Sequence, residues 1–206
     1  MNTTEIKIKY KINSFEDLYK YANKQFLEYE KIEGIDNWKE YDFSIDCSQD
    51  QMKFKDMLQI RCIEELTEAT HAMDNEDHFW EEITDSINFF LSAYCMLGVD
   101  FNQFESAEDI LNGFGIRAFE DIDYDMCSKF FYHIVDDIGD LCNLLKNRPW
   151  AQSNYLVSMY DFDKRLKKLW ITFWERMGVL GLKPKQLFEL FERKYEVNRF
   201  RIKSGY

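Results

Sequence analysis

Apolar side chains recur at intervals of three and four residues along most of the chain, the spacing that places them on one face of an α-helix. The first such run follows Ser14, a residue type that caps helices, and Gly34 is expected to end it. Further runs predict helices at about 51–73, 78–97, 124–145, 152–177 and 184–201. Gly98 is placed to end the third helix, and Pro184 suits the first position of the sixth. The pattern therefore predicts an all-α helical bundle.

The segments between these runs are less regular. Residues 35–50 are expected to form a loop, and residues 99–123 an irregular insertion in which a short helix starts at Ser106. Residues 5–12 alternate polar and apolar positions and are the one candidate strand. No repeat or low-complexity linker divides the sequence, so we expect a single all-α domain over residues 1–206.

Composition narrows the class of protein. Eight glycines and two prolines are too few for the frequent turns of an all-β fold. The five cysteines form no CxxC pair, which favours free thiols in a reducing compartment over a disulfide framework or a zinc site. The net charge of −12 disfavours a nonspecific binder of nucleic acid or of anionic membranes. Because neither a signal peptide nor a membrane-spanning apolar run is apparent, we expect a cytoplasmic protein, in the host cytoplasm if the chain is viral.

Acidic residues are concentrated in one window of the chain. Residues 60–85 hold nine carboxylates and one arginine, which gives a local charge of −8. Glu65 and Glu68 form one pair with i, i+3 spacing. Glu82 and Asp85 form a second such pair, and this spacing places both members on one helix face. Thirteen residues separate the pairs, enough for a turn that folds the third helix back on the second. Four carboxylates would then converge and repel one another unless they held cations, and Mg²⁺ and Mn²⁺ prefer such oxygen ligands.

Other interpretations of this window stay open. With 38 acidic residues in the chain, about seven acid-x-x-acid pairs arise by chance, and charged helix faces are usually only solvated. An acidic face would also suit a helical binding module that is not an enzyme. His71, three residues after Glu68, permits a carboxylate-bridged di-iron site, although Asn88 stands where the second histidine of such a site would be.

The C-terminal segment has the opposite charge. Residues 183–206 contain seven basic and three acidic residues, which gives +4. Lys194, Asn198 and Arg201 follow at i, i+4 and i+7 and therefore share one helix face. Two cations with an amide between them can clamp an oligophosphate, and the alternative is a solvated basic helix end.

Together, the two segments resemble the all-α NTP pyrophosphatase superfamily. The pattern EExxE at 64–68 followed by ExxD at 82–85 is similar to the EExxE…ExxD metal box of MazG-like enzymes, dimeric dUTPases and phage dCTP pyrophosphatases. The ending FERKYEVNRFRIKSGY resembles the F-x-x-K-x-x-x-N-x-x-R-x-x-x-G-Y ending of the dimeric dUTPases and phage dCTPases. Its matching residues are Lys194, Asn198, Arg201, Gly205 and Tyr206. The resemblance covers roughly half of the chain, at about 54–100 and 170–206.

The resemblance implies that a two-fold homodimer hydrolyses a deoxynucleoside triphosphate to the monophosphate and diphosphate. The expected substrate is dUTP; the alternatives are dCTP, both of these, or a broader range of NTPs. The resemblance also implies that two or three Mg²⁺ ions, replaceable by Mn²⁺, are held by four carboxylates: Glu65, Glu68, Glu82 and Asp85. Glu65 would orient or deprotonate the attacking water. The residues that would hold the phosphates are Lys194, Asn198, Arg201 and Tyr206.

The nucleoside contacts are less defined by the resemblance. In relatives an N-terminal helix supplies Gln or Asn to the base, a role open here to Gln25 or Asn23. Trp80 lies between the metal-binding pairs and could stack on a base, although its spacing also suits the core. Asn88 stands where many relatives have His and is a further candidate contact. Tyr195 stands where many relatives have Asn.

Overall fold

A computed structural model describes residues 11–32, 48–145 and 158–204, and every regular element within these ranges is helical. The α-helices are α1 Phe15–Ile32, α2 Ser48–Lys55, α3 Ile63–His71, α4 Glu76–Met96, α5 Ala107–Asn112, α6 Tyr124–Leu144, α7 Met159–Val179 and α8 Pro184–Ser204. Short 3₁₀ turns at Phe101–Gln103 and Phe119–Asp121 flank α5. None of the described helices has the length and apolar composition needed to cross a membrane. The predicted all-α fold class is confirmed.

The residue types that predicted helix ends have that role in the structure. Ser14 caps α1 by accepting a hydrogen bond from the backbone N–H of Asp17 at 3.1 Å. Gly98 follows α4 with a φ of 61°, a left-handed conformation that costs glycine least. Ser106 caps α5, and Pro184 is the first residue of α8. Local chemistry therefore fixes these boundaries.

Some predictions fall wholly or partly outside the described residues. The predicted strand at 5–12 is described only at residues 11 and 12, which have no regular structure. Of the predicted loop at 35–50, residues 48–50 already belong to α2, and the remainder lies outside the described residues. Gly34 lies outside the described residues, between residues 32 and 48. The predicted start of α7 at 152 lies outside them as well, because the next described range begins at Ser158.

The segment predicted as one helix at 51–73 is helical but is not a uniform α-helix. Its middle, Asp56–Cys62, is π-helical and joins α2 to α3. Buried apolar residues recur here at every fourth position and are at most 1% exposed: Phe54, Leu58, Cys62 and Leu66. In a continuous α-helix each step of four would rotate the side chain by about 40° around the axis. The wider π turn rotates less per residue, so the whole series stays against the core.

The acidic window lies where several helices meet. Only residues 72–75 separate α3 from α4, and α4 folds back to pack along α3. Asn75 caps α4 by accepting a hydrogen bond from the backbone N–H of His78 at 3.2 Å. On its other sides α4 packs against α1 and α8. The second acidic pair therefore projects from a helix that contacts α3, α1 and α8.

Stacked aromatic rings hold α4 against α7. The rings of Phe90 and Phe173 lie parallel with their centroids 3.8 Å apart. Trp170 and Trp174 pack edge to face beside them at 5.7 Å and are almost completely buried. Aromatic side chains bury large apolar areas, so this cluster is expected to supply much of the stability of the bundle.

Tyr94 provides a test of the contact between α4 and α7. Its buried hydroxyl donates a hydrogen bond of 2.8 Å to the backbone oxygen of Leu166. Tyr94→Phe is expected to lower the free energy of unfolding by about 1–2 kcal/mol, because a buried hydrogen bond is lost. Urea denaturation measures this change. Tyr132→Phe is the control, since Tyr132 is 67% exposed and its replacement should change stability by less than about 0.5 kcal/mol. Equal stabilities of Tyr94→Phe and the wild type would contradict the described hydrogen bond.

Candidate metal centre

Three carboxylates converge where α4 packs on α3. Glu65 projects from α3, and Glu82 and Asp85 project from successive turns of α4. One oxygen of each side chain lies within 4.8 Å of an oxygen of the other two. Glu82 is buried, whereas Glu65 and Asp85 are half-buried. Within the described ranges, no other group of three acidic, histidine or cysteine side chains lies close enough to share an ion.

The carboxylates are incompletely neutralised by their surroundings. Burial, a hydrogen bond with Glu82 and the nearby negative charges raise the pKa of Glu65 to about 8. Burial also raises the pKa of Asp85, although the Lys194 ammonium beside it acts in the opposite direction. Both groups therefore hold a proton more tightly than an ordinary carboxyl, as expected of a cluster with too little positive charge.

Two basic side chains contact these carboxylates. His78 lies one turn before Glu82 on α4 and places Nε2 2.7 Å from its Oε1. Lys194 of α8 places its ammonium against Asp85, and the same Nζ lies 3.8 Å from Oε1 of Glu81. Groups from α3, α4 and α8 thus form one continuous charged site.

Tyr29 of α1 lies at the edge of this site. Burial raises the pKa of the Tyr29 hydroxyl, and the negative charge of Asp85 raises it further. The positive charges of Arg201 and Lys194 lower this pKa but do not cancel the effect of burial. All three charged groups are therefore close enough to Tyr29 to affect it electrostatically. Tyr29 therefore lies within electrostatic range of both the basic side chains of α8 and a carboxylate of α4.

Glu68 does not join the other three carboxylates in the structure, whereas the sequence analysis expected four to converge. Its side chain is exposed and contributes no oxygen to the group, although its charge still raises the pKa of Glu65. Three positions along an α-helix leave a side chain about 60° away from the starting face, and here that rotation leaves Glu68 in solvent. His71 is exposed as well, so the di-iron arrangement is not formed among the described residues.

The predicted phosphate-binding residues are distributed along α8. Lys194 contacts Asp85, and only 15% of its side chain is exposed. Asn198, one turn later, is 4% exposed. Arg201 is exposed near Tyr29. Tyr206 lies outside the described residues, as does Gly205.

The predicted nucleoside contacts occupy different environments. Gln25 is buried on α1, and Asn88 is half-buried one turn after Asp85 on α4. Asn23 is exposed and lines a cavity of about 540 Å³ with residues near Gly98, beyond the opposite end of α4 from the carboxylates. Trp80 is 5% exposed and belongs to the hydrophobic core, which is the alternative that its spacing allowed.

Three residues of the site were not identified from the sequence. His78 stands four residues before Glu82, and this i, i+4 spacing is a signal that the sequence does contain. Glu81 precedes Glu82 directly, but nothing local indicates that it faces Lys194 of α8. Tyr29 carries no local signal either, because it lies on a helix far away along the chain.

Comparisons of the chain with protein-family models, curated proteins and solved structures found no match.

The three converging carboxylates suit a hard divalent ion. Mg²⁺ binds oxygens at about 2.0–2.1 Å, so two ligands on opposite sides of the ion lie about 4.2 Å apart. The oxygens of Glu65, Glu82 and Asp85 lie within 4.8 Å of one another, close to that spacing. An ion here would also supply the positive charge that the raised pKa of Glu65 shows to be lacking. The donor set therefore fits Mg²⁺, or Mn²⁺ with the same preference for oxygen.

Without divalent ions, the protein is expected to lose stability as the pH rises from about 5 to about 8. The pKa of Glu65 is about 8 in the folded chain, compared with an ordinary value of 4.5. The folded state therefore binds more protons across this window, and the free energy of unfolding falls as the pH rises. We expect Glu65 to change the free energy of unfolding by about 1 kcal/mol over this pH range. The change is this small because water screens the charges around a half-buried side chain.

Urea denaturation in EDTA at several pH values measures this contribution. Glu65→Gln should flatten the dependence by that amount, whereas Glu64→Gln, an exposed neighbour on α3, should retain it. Parallel profiles for the wild type and Glu65→Gln would contradict the raised pKa.

Proposed function

We propose that this protein is a Mg²⁺-dependent deoxynucleoside triphosphate pyrophosphohydrolase that converts dUTP and water to dUMP and diphosphate. The observation that carries the proposal is the convergence of Glu65, Glu82 and Asp85 within 4.8 Å, next to a basic face of α8. A chain with a net charge of −12 can bind a triphosphate only where cations are concentrated. The carboxylates can concentrate divalent ions, and Lys194 and Arg201 add fixed positive charge. The resemblance of residues 64–85 to the MazG-like metal box and of the C-terminal segment to the dUTPase ending implies the same reaction.

Each carboxylate has a proposed role in holding metal. Glu65, Glu82 and Asp85 would share one Mg²⁺, and Glu68, whose charge reaches Glu65, would bind a second or third ion at the solvent edge. Bound there, the ions would neutralise phosphate oxygens and activate a water as the nucleophile. His78 would keep Glu82 oriented through its 2.7 Å contact.

Glu65 is the proposed catalytic base. Its carboxylate lies within 4.8 Å of those of Glu82 and Asp85, so it would be next to a water held by an ion at this site. Lys194, Asn198 and Arg201 would donate hydrogen bonds to phosphate oxygens and stabilise the charge that develops on the departing diphosphate. Tyr206 has the same role by resemblance to the dUTPase ending.

The choice of base and the oligomeric state are proposed from the resemblance. dUTP is the proposed substrate, with dCTP, both nucleotides or a broader range of NTPs as the alternatives. Gln25 and Asn88 are the polar residues on α1 and α4 that we assign to the nucleoside. The proposed homodimer should have twice the mass of the 25.0 kDa chain in light scattering.

Product analysis tests the proposed reaction. The purified protein is incubated with Mg²⁺ and, separately, with dUTP, dCTP, dATP, dGTP, dTTP and UTP, and the nucleotide and phosphate products are separated. We expect dUMP and diphosphate in equal amounts, with no dUDP and no free phosphate.

Each other outcome identifies a different function. Preferential cleavage of dCTP would keep the reaction but change the substrate, and equal cleavage of all six would favour a broad MazG-like enzyme. Formation of a nucleoside diphosphate would contradict the proposed cleavage between the α- and β-phosphates. No product from any nucleotide would contradict enzymatic activity and favour the helical binding module.

A further inference from the structure

The ammonium of Lys194 lies inside the proposed metal site. Lys194 Nζ contacts Asp85, and only 15% and 14% of the two side chains are exposed. Asp85 is also one of the three residues whose oxygens converge within 4.8 Å. A residue expected to contact only phosphate therefore neutralises a metal ligand.

The carboxylate of Asp85 cannot closely contact both the Lys194 ammonium and a divalent ion. Like charges at such short range repel strongly where water is largely excluded. Mg²⁺ also demands close and nearly ideal octahedral placement of its ligands, which an ammonium on one ligand obstructs. Binding of the ion should therefore require Lys194 to move away from Asp85.

The structure provides a second position for this ammonium. Glu81 Oε1 already lies 3.8 Å from Nζ, and its side chain is 60% exposed. Lys194 and Glu81 both line a cavity of about 230 Å³ between α4 and α8, which Thr84 and Val197 also border. The lysine can thus turn toward Glu81 and open space without disturbing the packed core.

We infer that Lys194 is the internal counter-ion of the carboxylate site, and that it must leave Asp85 before Glu65, Glu82 and Asp85 can hold a divalent ion together. This inference rests on the proposed metal site. It makes Lys194 a positioning residue for metal binding in addition to its proposed contact with phosphate.

The exchange couples the metal to the substrate. A triphosphate that attracts Lys194 stabilises the arrangement in which Asp85 is available, so substrate should increase the affinity for metal and metal the affinity for substrate by the same factor. Without substrate, Lys194 holds the metal affinity down. The site would therefore assemble its ions chiefly when a phosphate chain is present.

Calorimetric titration with Mn²⁺ alone tests this inference without relying on activity. Lys194→Met removes the ammonium but keeps a long side chain, and we expect it to bind Mn²⁺ about ten-fold more tightly than the wild type. Lys194→Arg keeps the charge and should stay within about two-fold of the wild type. Lys185→Met is the control on the same helix, since Lys185 is 90% exposed and its Nζ lies 3.9 Å from Oε1 of the exposed Glu189. Thermal unfolding checks that each variant is folded.

The outcomes separate this inference from the proposed function. Tighter binding by Lys194→Met, with wild-type affinity in Lys194→Arg and Lys185→Met, supports the counter-ion. Unchanged or weaker Mn²⁺ binding by folded Lys194→Met, when Glu65→Gln still reduces binding, overturns the counter-ion but leaves the metal site standing. Failure of both wild type and Lys194→Met to bind Mn²⁺ overturns the metal site and the inference together.

Discussion

Glu65→Gln is expected to lower the kcat for dUTP hydrolysis by about 10³-fold or more, because Glu65 is the proposed catalytic base as well as a proposed metal ligand. The replacement keeps the shape of the side chain and removes its charge and its ability to accept a proton. Burial and neighbouring carboxylates already raise the pKa of Glu65 to about 8, so a neutral amide should be tolerated structurally. Steady-state release of diphosphate at saturating Mg²⁺ measures the loss.

Glu64→Gln is the matched control for this experiment. Glu64 is the adjacent acidic residue on α3, and its exposed carboxylate interacts with Arg61 at 3.5 Å and lies outside the converging group. The kcat of Glu64→Gln should stay within about two-fold of the wild-type value, since exposed ion pairs contribute little to stability. Near-full activity of a folded Glu65→Gln protein would refute the assignment of Glu65.

Removal of divalent ions is expected to reduce hydrolysis by at least about 10³-fold, and added Mg²⁺ or Mn²⁺ should restore it. Without divalent ions the carboxylates of this site repel a triphosphate, and the cations of α8 alone should not overcome that repulsion. The measurement is the diphosphate release rate in EDTA and after dialysis into each ion.

The helical fold should survive this treatment. Aromatic and aliphatic packing of α4 on α7 and of α3 on α4 does not involve the carboxylates, so far-ultraviolet circular dichroism should be unchanged in EDTA. Hydrolysis that continues in EDTA at the rate seen in Mg²⁺ would contradict a metal-dependent mechanism. Loss of helicity in EDTA would instead indicate that the ion is structural.

Helix boundaries could be predicted where one local interaction decides them. Ser14, Ser106, Gly98 and Pro184 act through their own backbone and neighbours, and each marks a helix end as expected. The π-helical segment Asp56–Cys62 could not be predicted, because apolar residues at every fourth position suit several helical windings until the core selects one.

The sequence predicted that carboxylates of two helices converge, but it predicted only part of the converging group. The spacing of Glu82 and Asp85 indicated a shared face, and both converge with Glu65. The same spacing placed Glu68 in the group, yet its side chain is exposed to solvent. The contact of Lys194 with Asp85 joins two helices far apart in sequence, so helical periodicity within α8 could not indicate it.

The most direct test of the whole account is anomalous diffraction from crystals of the protein grown with Mn²⁺ and a non-hydrolysable dUTP analogue. We predict an anomalous peak at about 2.0–2.3 Å from carboxylate oxygens of Glu65, Glu82 and Asp85, with Lys194 turned away from Asp85 toward phosphate or Glu81. A map with no manganese at these three side chains, or with manganese bound only elsewhere, would contradict it.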